Sequence, residues 1–384
     1  MNDREHGRRR FLKECAAVTG LAVGGINSAS GQTPAPAAPE PGPKSYPAVG
    51  DPSRFETSER WRGVWGATTP LQDSVGIITP SSLHFMAAHG YDPPNIDPRQ
   101  HRLMIHGLVE RPLIFTLEDL KRLPSVSRIH FVECRQNGRP LDPHRETVQQ
   151  MYGYTSCSEW TGVPLSILLN EAGLQKAASW LVAEGLDPGM HTKSLPLTKA
   201  LHDCLVVYGQ NGEAIRPEQG YPFRLLVPGW LGVYNVKWLR RIKLLDQPHM
   251  TKWETTAYGE LLRDGKMRWF QFEAPPNSVI TRPSGGQQLA GPGFHEITGL
   301  AWSGYGAIRK VEVSTDRGRT WTDARLQEPV FSKAHARFRF DWTWDGQEAV
   351  LQSRCTDEQG HLQSAHLIQP WKVTREGSVR NALL

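Results

Sequence analysis

Cysteines at positions 15, 134, 157, 204 and 355 give this 384-residue chain its first testable chemistry. No two form a CxxC pair, which excludes a zinc ribbon and argues against a redox dithiol; the CxxCH pattern of attached haem is also absent. Cys134 ends a predicted strand, Ser127–Cys134, in which Ile129 and Phe131 alternate with His130 and Val132. Arg135-Gln136-Asn137-Gly138-Arg139 follows at once. A turn rich in cations favours the thiolate, the form that ligates metals and attacks electrophiles. A soft thiolate suits a sulfur-ligated metal. The alternative is a buried structural cysteine. Cys157, in Ser156-Cys157-Ser158-Glu159-Trp160, is the rival, although packing alone also accounts for it. Cys204 and Cys355 sit in apolar or strand-like contexts and are expected in the core.

Three other segments bring polar groups to predicted loops. Glu184-Gly185-Leu186-Asp187 ends a strand with an acid, and Lys193-Ser194 follows closely. Gly220-Tyr221-Pro222-Phe223-Arg224 puts a cation at a strand start. Tyr234-Asn235-Val236-Lys237 places an amide and a cation two residues apart, on one side of an expected strand. Each alone reads as a solvated polar residue; together they could form an anion pocket with an acid for an amide-bearing ring.

The elements that must hold these residues are short. Thr161-Gly162-Val163-Pro164 opens a helix that Gly173 closes. Leu205–Tyr208 and Phe223–Val227 read as strands, and so does Val236–Leu244; Asn211-Gly212 is a tight-turn signal. Short helices between non-adjacent strands predict α+β rather than doubly wound α/β. No G-x-G-x-x-G, P-loop or G-x-S-x-G occurs. Beyond about residue 265 the pattern changes to short strands, Glu296–Trp302, Ile308–Ser314 and Phe338–Trp342, with turns at Asp316–Arg319 and Asp345-Gly346. This is β-sandwich texture.

Composition narrows the function. Lys+Arg 44 against Asp+Glu 39, with no basic tract beyond the N-terminus, argues against nucleic acid. No run of 18 apolar residues exists to span a membrane. Arg8-Arg9-Arg10-Phe11-Leu12-Lys13, an apolar run and Ser28-Ala29-Ser30 read as a twin-arginine signal peptide over 1–30, predicting periplasmic export in the folded state. A Pro/Ala-rich leader and N-terminal extension follow over 31–75, with Gly50–Thr79 expected to wrap the domain surface.

These segments, taken in order, resemble the sulfite oxidase family of molybdenum enzymes, and within it the sulfane dehydrogenase type. The resemblance runs from Ile77 to Gln369. It is carried by Gly76–Pro80, Leu83–Phe85, His106–Leu108, Phe131–Cys134, Glu159–Leu165, Asn211–Glu213, Gly220–Pro222, Val236–Ile242 and Gly299–Gly304. It implies a mixed α+β molybdopterin domain over 76–262 and an immunoglobulin-like β-sandwich dimerisation domain over 263–375. It further implies a molybdenum–molybdopterin cofactor with Cys134 as the protein ligand to the metal. The implied pterin contacts are His89, Asp187, Arg224, Asn235, Val236 and Lys237, and Tyr258 resembles the active-site tyrosine.

Two departures bear on the substrate. The family's usual oxyanion-binding arginine, two residues before the position of His89, is Ala87 here. The usual small residue after the metal-ligating cysteine is Arg135, which could restore that charge from another direction. Without a haem, flavin or iron–sulfur motif, electrons are expected to leave to a c-type cytochrome subunit. The implied reaction is oxidation of a sulfane sulfur on a sulfur-carrier protein. Free sulfite, a sulfoxide, or a chain that has lost turnover are the alternatives.

Overall fold

Alternating side chains and turn chemistry build the strand that ends at the candidate thiol. In the computed structural model it spans Val126–Glu133, with Phe131 in the main core and Val132 in a second, smaller one. The structure describes residues 53–63, 65–87, 92–138, 145–256, 258–262 and 264–383. The twin-arginine segment, most of the leader and His89 lie outside them. The chain divides into two units, 1–56 and Thr57–Leu384. The described part of the first is a turn in which Glu56 N donates to Ser53 O at 2.8 Å. Among the described residues no helix is long and apolar enough to cross a membrane.

Two five-stranded sheets, one antiparallel and one mixed, occupy the first part of the larger unit. One joins Glu213–Ala214, Leu205–Gln210, Thr155–Pro164 and Val126–Glu133 in that order, with Arg224–Leu226 also pairing Leu205–Gln210. Its Asn211-Gly212 turn has φ of 51° and 78°, the paired left-handed conformation of a tight hairpin. The other runs Leu113–Phe115, Leu103–Gly107, Leu239–Leu245, Trp180–Gly185, Thr192–Pro196; only Leu103–Gly107 and Leu239–Leu245 are parallel. Helices are short. Leu117–Arg122 and Val148–Tyr152 each start with a threonine capping box, at Thr116 and Thr147. Leu165–Ala172 starts after Pro164 and ends at Gly173 (φ 73°), as its punctuation predicts.

The last part of the chain is a β-sandwich. Asn277–Arg282, Gly293–Trp302, Ala336–Trp344 and Arg325–Leu326 form one sheet. Thr322–Asp323, Ile308–Ser314, Ala349–Asp357, Trp371–Val373 and Val379–Asn381 form the other. The expected turns hold: Arg317, Gly318 and Gly346 all have positive φ. One hydrophobic core runs from these two sheets into the sandwich. Polar contacts also cross: Thr155 Oγ1 lies 2.9 Å from His335 Nε2, and Asn381 donates to Arg145 O at 3.1 Å.

Two expectations need correction. Val236–Trp238 is not strand; the strand begins at Leu239, and Trp238 has φ of 50°. Asn235 closes a 3₁₀ turn, Gly232–Tyr234, and its side-chain oxygen accepts from Val227 N at 2.8 Å. These tertiary hydrogen bonds satisfy the backbone in place of a ladder. Nor is 50–79 only a surface wrap. Gly66–Thr68 pairs with Trp61–Gly63 on one side and Met86–Ala87 on the other, and Thr68, Thr69 and Leu71 are buried.

Candidate functional site

Glu133 and Asn137 fix the loop on which the candidate thiol sits. Asn137 Nδ2 donates to Glu133 Oε1 at 2.9 Å, and Tyr154 N donates to Asn137 Oδ1 at 3.0 Å. Cys134 N donates to Tyr154 O, and Asn137 N to Cys134 O, both at 2.9 Å. Burial pushes the Glu133 carboxyl up to about 7, against the Asn137 hydrogen bond. Cys134 is thereby held just beyond its strand, half-buried, at the wall of a cleft.

Asp187, Arg224, Asn235, Lys237 and Tyr258 reach the same cleft, drawn from segments far apart in sequence. Asp187 follows the strand Trp180–Gly185 and is nearly buried; its Oδ1 accepts from His191 N at 2.9 Å. Arg224 opens its strand and is 3% exposed. Its guanidinium donates to Gln219 O at 3.0 Å and Asn235 O at 2.9 Å. Lys237 Nζ donates to Ala87 O at 2.9 Å and Glu218 O at 3.0 Å. Burial pulls Arg224 down to about 9, and burial together with Arg224 pulls Lys237 down to about 7. Among the described residues no carboxylate forms an ion pair with either.

Three of the expected residues behave differently. Val236 is 1% exposed, packed in the core, and does not line the cleft. Asn235 spends its side chain inside its own loop, on Val227 N and Leu231 O. Arg135 stands behind Tyr258, its guanidinium carbon 5.6 Å from the ring centroid, and donates to Gly259 O at 3.2 Å.

The cleft also contains residues that carried no assigned role in the sequence. His84, 1% exposed, has Nδ1 3.0 Å from Phe85 O, so that nitrogen carries the proton and Nε2 is a bare acceptor. Burial, reinforced by Arg224, Lys237 and Arg60, holds His84 neutral with a pKa of about 3. His191, Gln219 and Trp238 line the cleft as well. The only sequence signal for His84 was its place in Leu83–Phe85.

The donor set has a definite chemical demand. Among the described residues neither cation forms an ion pair, Arg224 Nε has no acceptor and His84 Nε2 has no donor; Asp187 and Glu218 act on Lys237 only from beyond ion-pair distance. Such groups are costly to bury unless a ligand satisfies them. A molecule with a phosphate and ring N–H groups fits. Among the described residues no three His, Cys, Asp or Glu side chains converge as a metal site. A metal at Cys134 would therefore take its other ligands from the molecule that carries it, as molybdopterin does.

Two family models match the chain: the oxidoreductase molybdopterin-binding domain over 89–253 and the Mo-co oxidoreductase dimerisation domain over 268–375. The structure is similar to the sulfane dehydrogenase SoxCD from Paracoccus pantotrophus, with a TM-score of 0.82 and 36% identity, covering 91% of this chain and 99% of that one. Mitochondrial sulfite oxidase from Homo sapiens is 30% identical over 288 residues, 70% of this chain and 52% of that protein. Nitrate reductase [NADPH] from Phytophthora infestans is 29% identical over 343 residues, 77% of this chain and 37% of that protein. The chain thus spans about half or less of these two curated relatives. Both family models and the 36% identity of a structure covered almost end to end agree: the chain belongs to the sulfite oxidase family of molybdopterin oxidoreductases.

Proposed function

We propose that this chain is the molybdenum subunit of a sulfane dehydrogenase, oxidising sulfur held on a carrier protein and passing electrons to a c-type cytochrome. The observation that carries the site reading is the placement of Cys134 in one cleft with two cations, Arg224 and Lys237, that form no ion pair among the described residues. In this reading Cys134 supplies the thiolate ligand to molybdenum. Arg224 and Lys237 hold the cofactor's phosphate by charge-assisted hydrogen bonds. Asp187 accepts from pterin N–H groups and His84 Nε2 accepts another, and the family resemblance assigns a further contact to His89. Asn235 fixes the loop that carries Lys237. When bound, the cofactor supplies the two-electron redox chemistry.

The substrate reading rests on Ala87. It lines the cleft where the family resemblance places an oxyanion-binding arginine, and a methyl group cannot replace that charge. A carrier-borne sulfur chain is positioned by its carrier and needs that cation less than free sulfite does. The likeness to sulfane dehydrogenase SoxCD supports the same choice. We further propose that residues 1–30 direct export to the periplasm and that the β-sandwich forms a homodimer.

Metal analysis of protein from molybdenum-replete cells tests the first half: the wild type holds molybdenum and Cys134→Ser does not. Steady-state reduction of cytochrome c with a persulfidated carrier or with free sulfite tests the second. Faster turnover on free sulfite would replace sulfane dehydrogenase with sulfite dehydrogenase. Molybdenum without turnover on either would indicate a different substrate or lost activity.

A further inference from the structure

Lys193 and Glu254 are both fully buried, with Lys193 Nζ 3.3 Å from Glu254 Oε1. A buried ion pair is not in itself a gain in stability, since desolvation offsets its attraction. Its surroundings show where it acts. The Glu254 carboxylate has further partners: it also accepts from Ser194 N at 2.9 Å and from the Thr251 hydroxyl. The Lys193 ammonium has fewer. Among the described residues it has no other polar partner, and its remaining surface lies against two aromatic rings. Tyr234 has its centroid at 4.8 Å and Tyr258 at 5.2 Å, both within cation–π range.

Both tyrosines have other aromatic neighbours, Tyr258 the ring of Trp253 at 6.1 Å. Tyr234 is packed against Trp230 and Phe272, with centroids at 5.1 and 5.5 Å. Tyr258 lies at the cleft, on the short segment after the helix Lys252–Thr256. Lys193, by contrast, is on an interior residue of the strand Thr192–Pro196, paired with Ala183. An interior strand residue thus supplies a cation to a ring carried outside helix and strand.

The geometry points to Lys193 as the positioning residue for Tyr258: its ammonium, neutralised from behind by Glu254, fixes the phenol ring at the cleft by contact with the ring face. Arg135 approaches the same ring at 5.6 Å, so Tyr258 has two cations against it. Glu254 is the counter-charge that lets Lys193 remain so close to Arg135. This assignment rests on the reading of the cleft as the reaction site, and it deepens that reading.

Replacing Lys193 alone would leave Glu254 buried and unpaired, so the test uses the neutral pair Lys193→Met/Glu254→Gln. In cofactor-free protein with ¹³C-labelled tyrosine rings, the Tyr258 resonance is assigned with Tyr258→Phe. The neutral pair is expected to shift or broaden it while leaving most other tyrosines in place. In loaded protein, molybdenum content is expected to match the wild type, with kcat lower by on the order of tenfold and KM within about twofold. An unmoved Tyr258 resonance, or wild-type kcat and KM, overturns the assignment. Loss of molybdenum from the neutral pair also overturns it, by reducing the pair to a structural support. If the wild type itself holds no molybdenum, the functional reading fails, while the resonance still decides the contact.

Discussion

Arg224 and Lys237 meet across a single glycine. A Cβ on Gly220, whose φ is 111°, would lie 3.0 Å from the Lys237 Cβ and 3.1 Å from the Arg224 Cβ. The two cations enter the cleft from different segments; Lys237 donates to backbone carbonyls, and Arg224 to backbone carbonyls and the Gln219 side-chain oxygen. Carbonyl oxygens solvate a cation without neutralising it, so the pair retains its call for an anion.

The cofactor-free protein should therefore show a pH dependence that the loaded protein lacks. Lys237 is lowered from 10.5 to about 7 in the folded chain. Between those limits the unfolded lysine keeps its proton and the folded one releases it, so unfolding takes up protons and stability rises with pH. One such group contributes at most about 1.4 kcal/mol per pH unit. Thermal melts from pH 7 to 9 should show a gain for the cofactor-free wild type relative to Lys237→Met. Bound phosphate raises both cations' pKa values and should flatten the difference. Equal slopes for wild type and variant would remove Lys237 as the source.

Gly220→Ala should damage the cofactor site more than the fold. A left-handed conformation costs a non-glycine residue roughly 1–3 kcal/mol, and the added methyl would press on both cations' stems. The expected result is molybdenum content reduced severalfold, with far-ultraviolet circular dichroism unchanged. Full molybdenum content in Gly220→Ala would show that the two cations tolerate displacement.

Arg135 is the cation that can answer the absence of one at Ala87. Its guanidinium lies beside Tyr258, although its side chain is not itself part of the cleft wall. If it attracts an anionic sulfur substrate, Arg135→Ala raises KM about tenfold, the equivalent of about 1.4 kcal/mol, with kcat much less affected. An unchanged KM would leave the charge at Ala87 uncompensated.

The parts of this site that could be read from sequence are those fixed by local patterns. Cys134 follows a period-two strand and precedes a turn; Asp187 and Arg224 lie at strand ends marked by glycine and proline. The sandwich was legible for the same reason, because Asp316–Arg319 and Asp345-Gly346 demand turns. Tyr234 to Leu239 alternates as a strand would, yet Asn235 and Trp238 take other conformations because Val227 N and Leu186 N find their acceptors there. His84 follows a 3₁₀ turn, Ser81–Leu83, with no periodicity to mark it. Lys193 was visible as a residue near Asp187, but its burial against Tyr258 comes from residues more than sixty positions away.

Thiol reactivity offers a test that needs no substrate. Burial pushes Cys157 up to about 12 and raises Cys204 and Cys355 further, so none of these supplies thiolate near neutral pH. All three are also enclosed, Cys157 entirely. Cys134 is the partly exposed thiol among the described cysteines and opens on the cleft. Brief alkylation of cofactor-free protein at pH 8, read by peptide mass, should modify Cys134 at least tenfold faster than the buried three. Loading with molybdenum cofactor should protect Cys134, because a sulfur bonded to metal is no longer a free nucleophile. Rapid labelling of Cys134 in protein with full molybdenum content would place the metal elsewhere and remove the thiol from the centre of the mechanism.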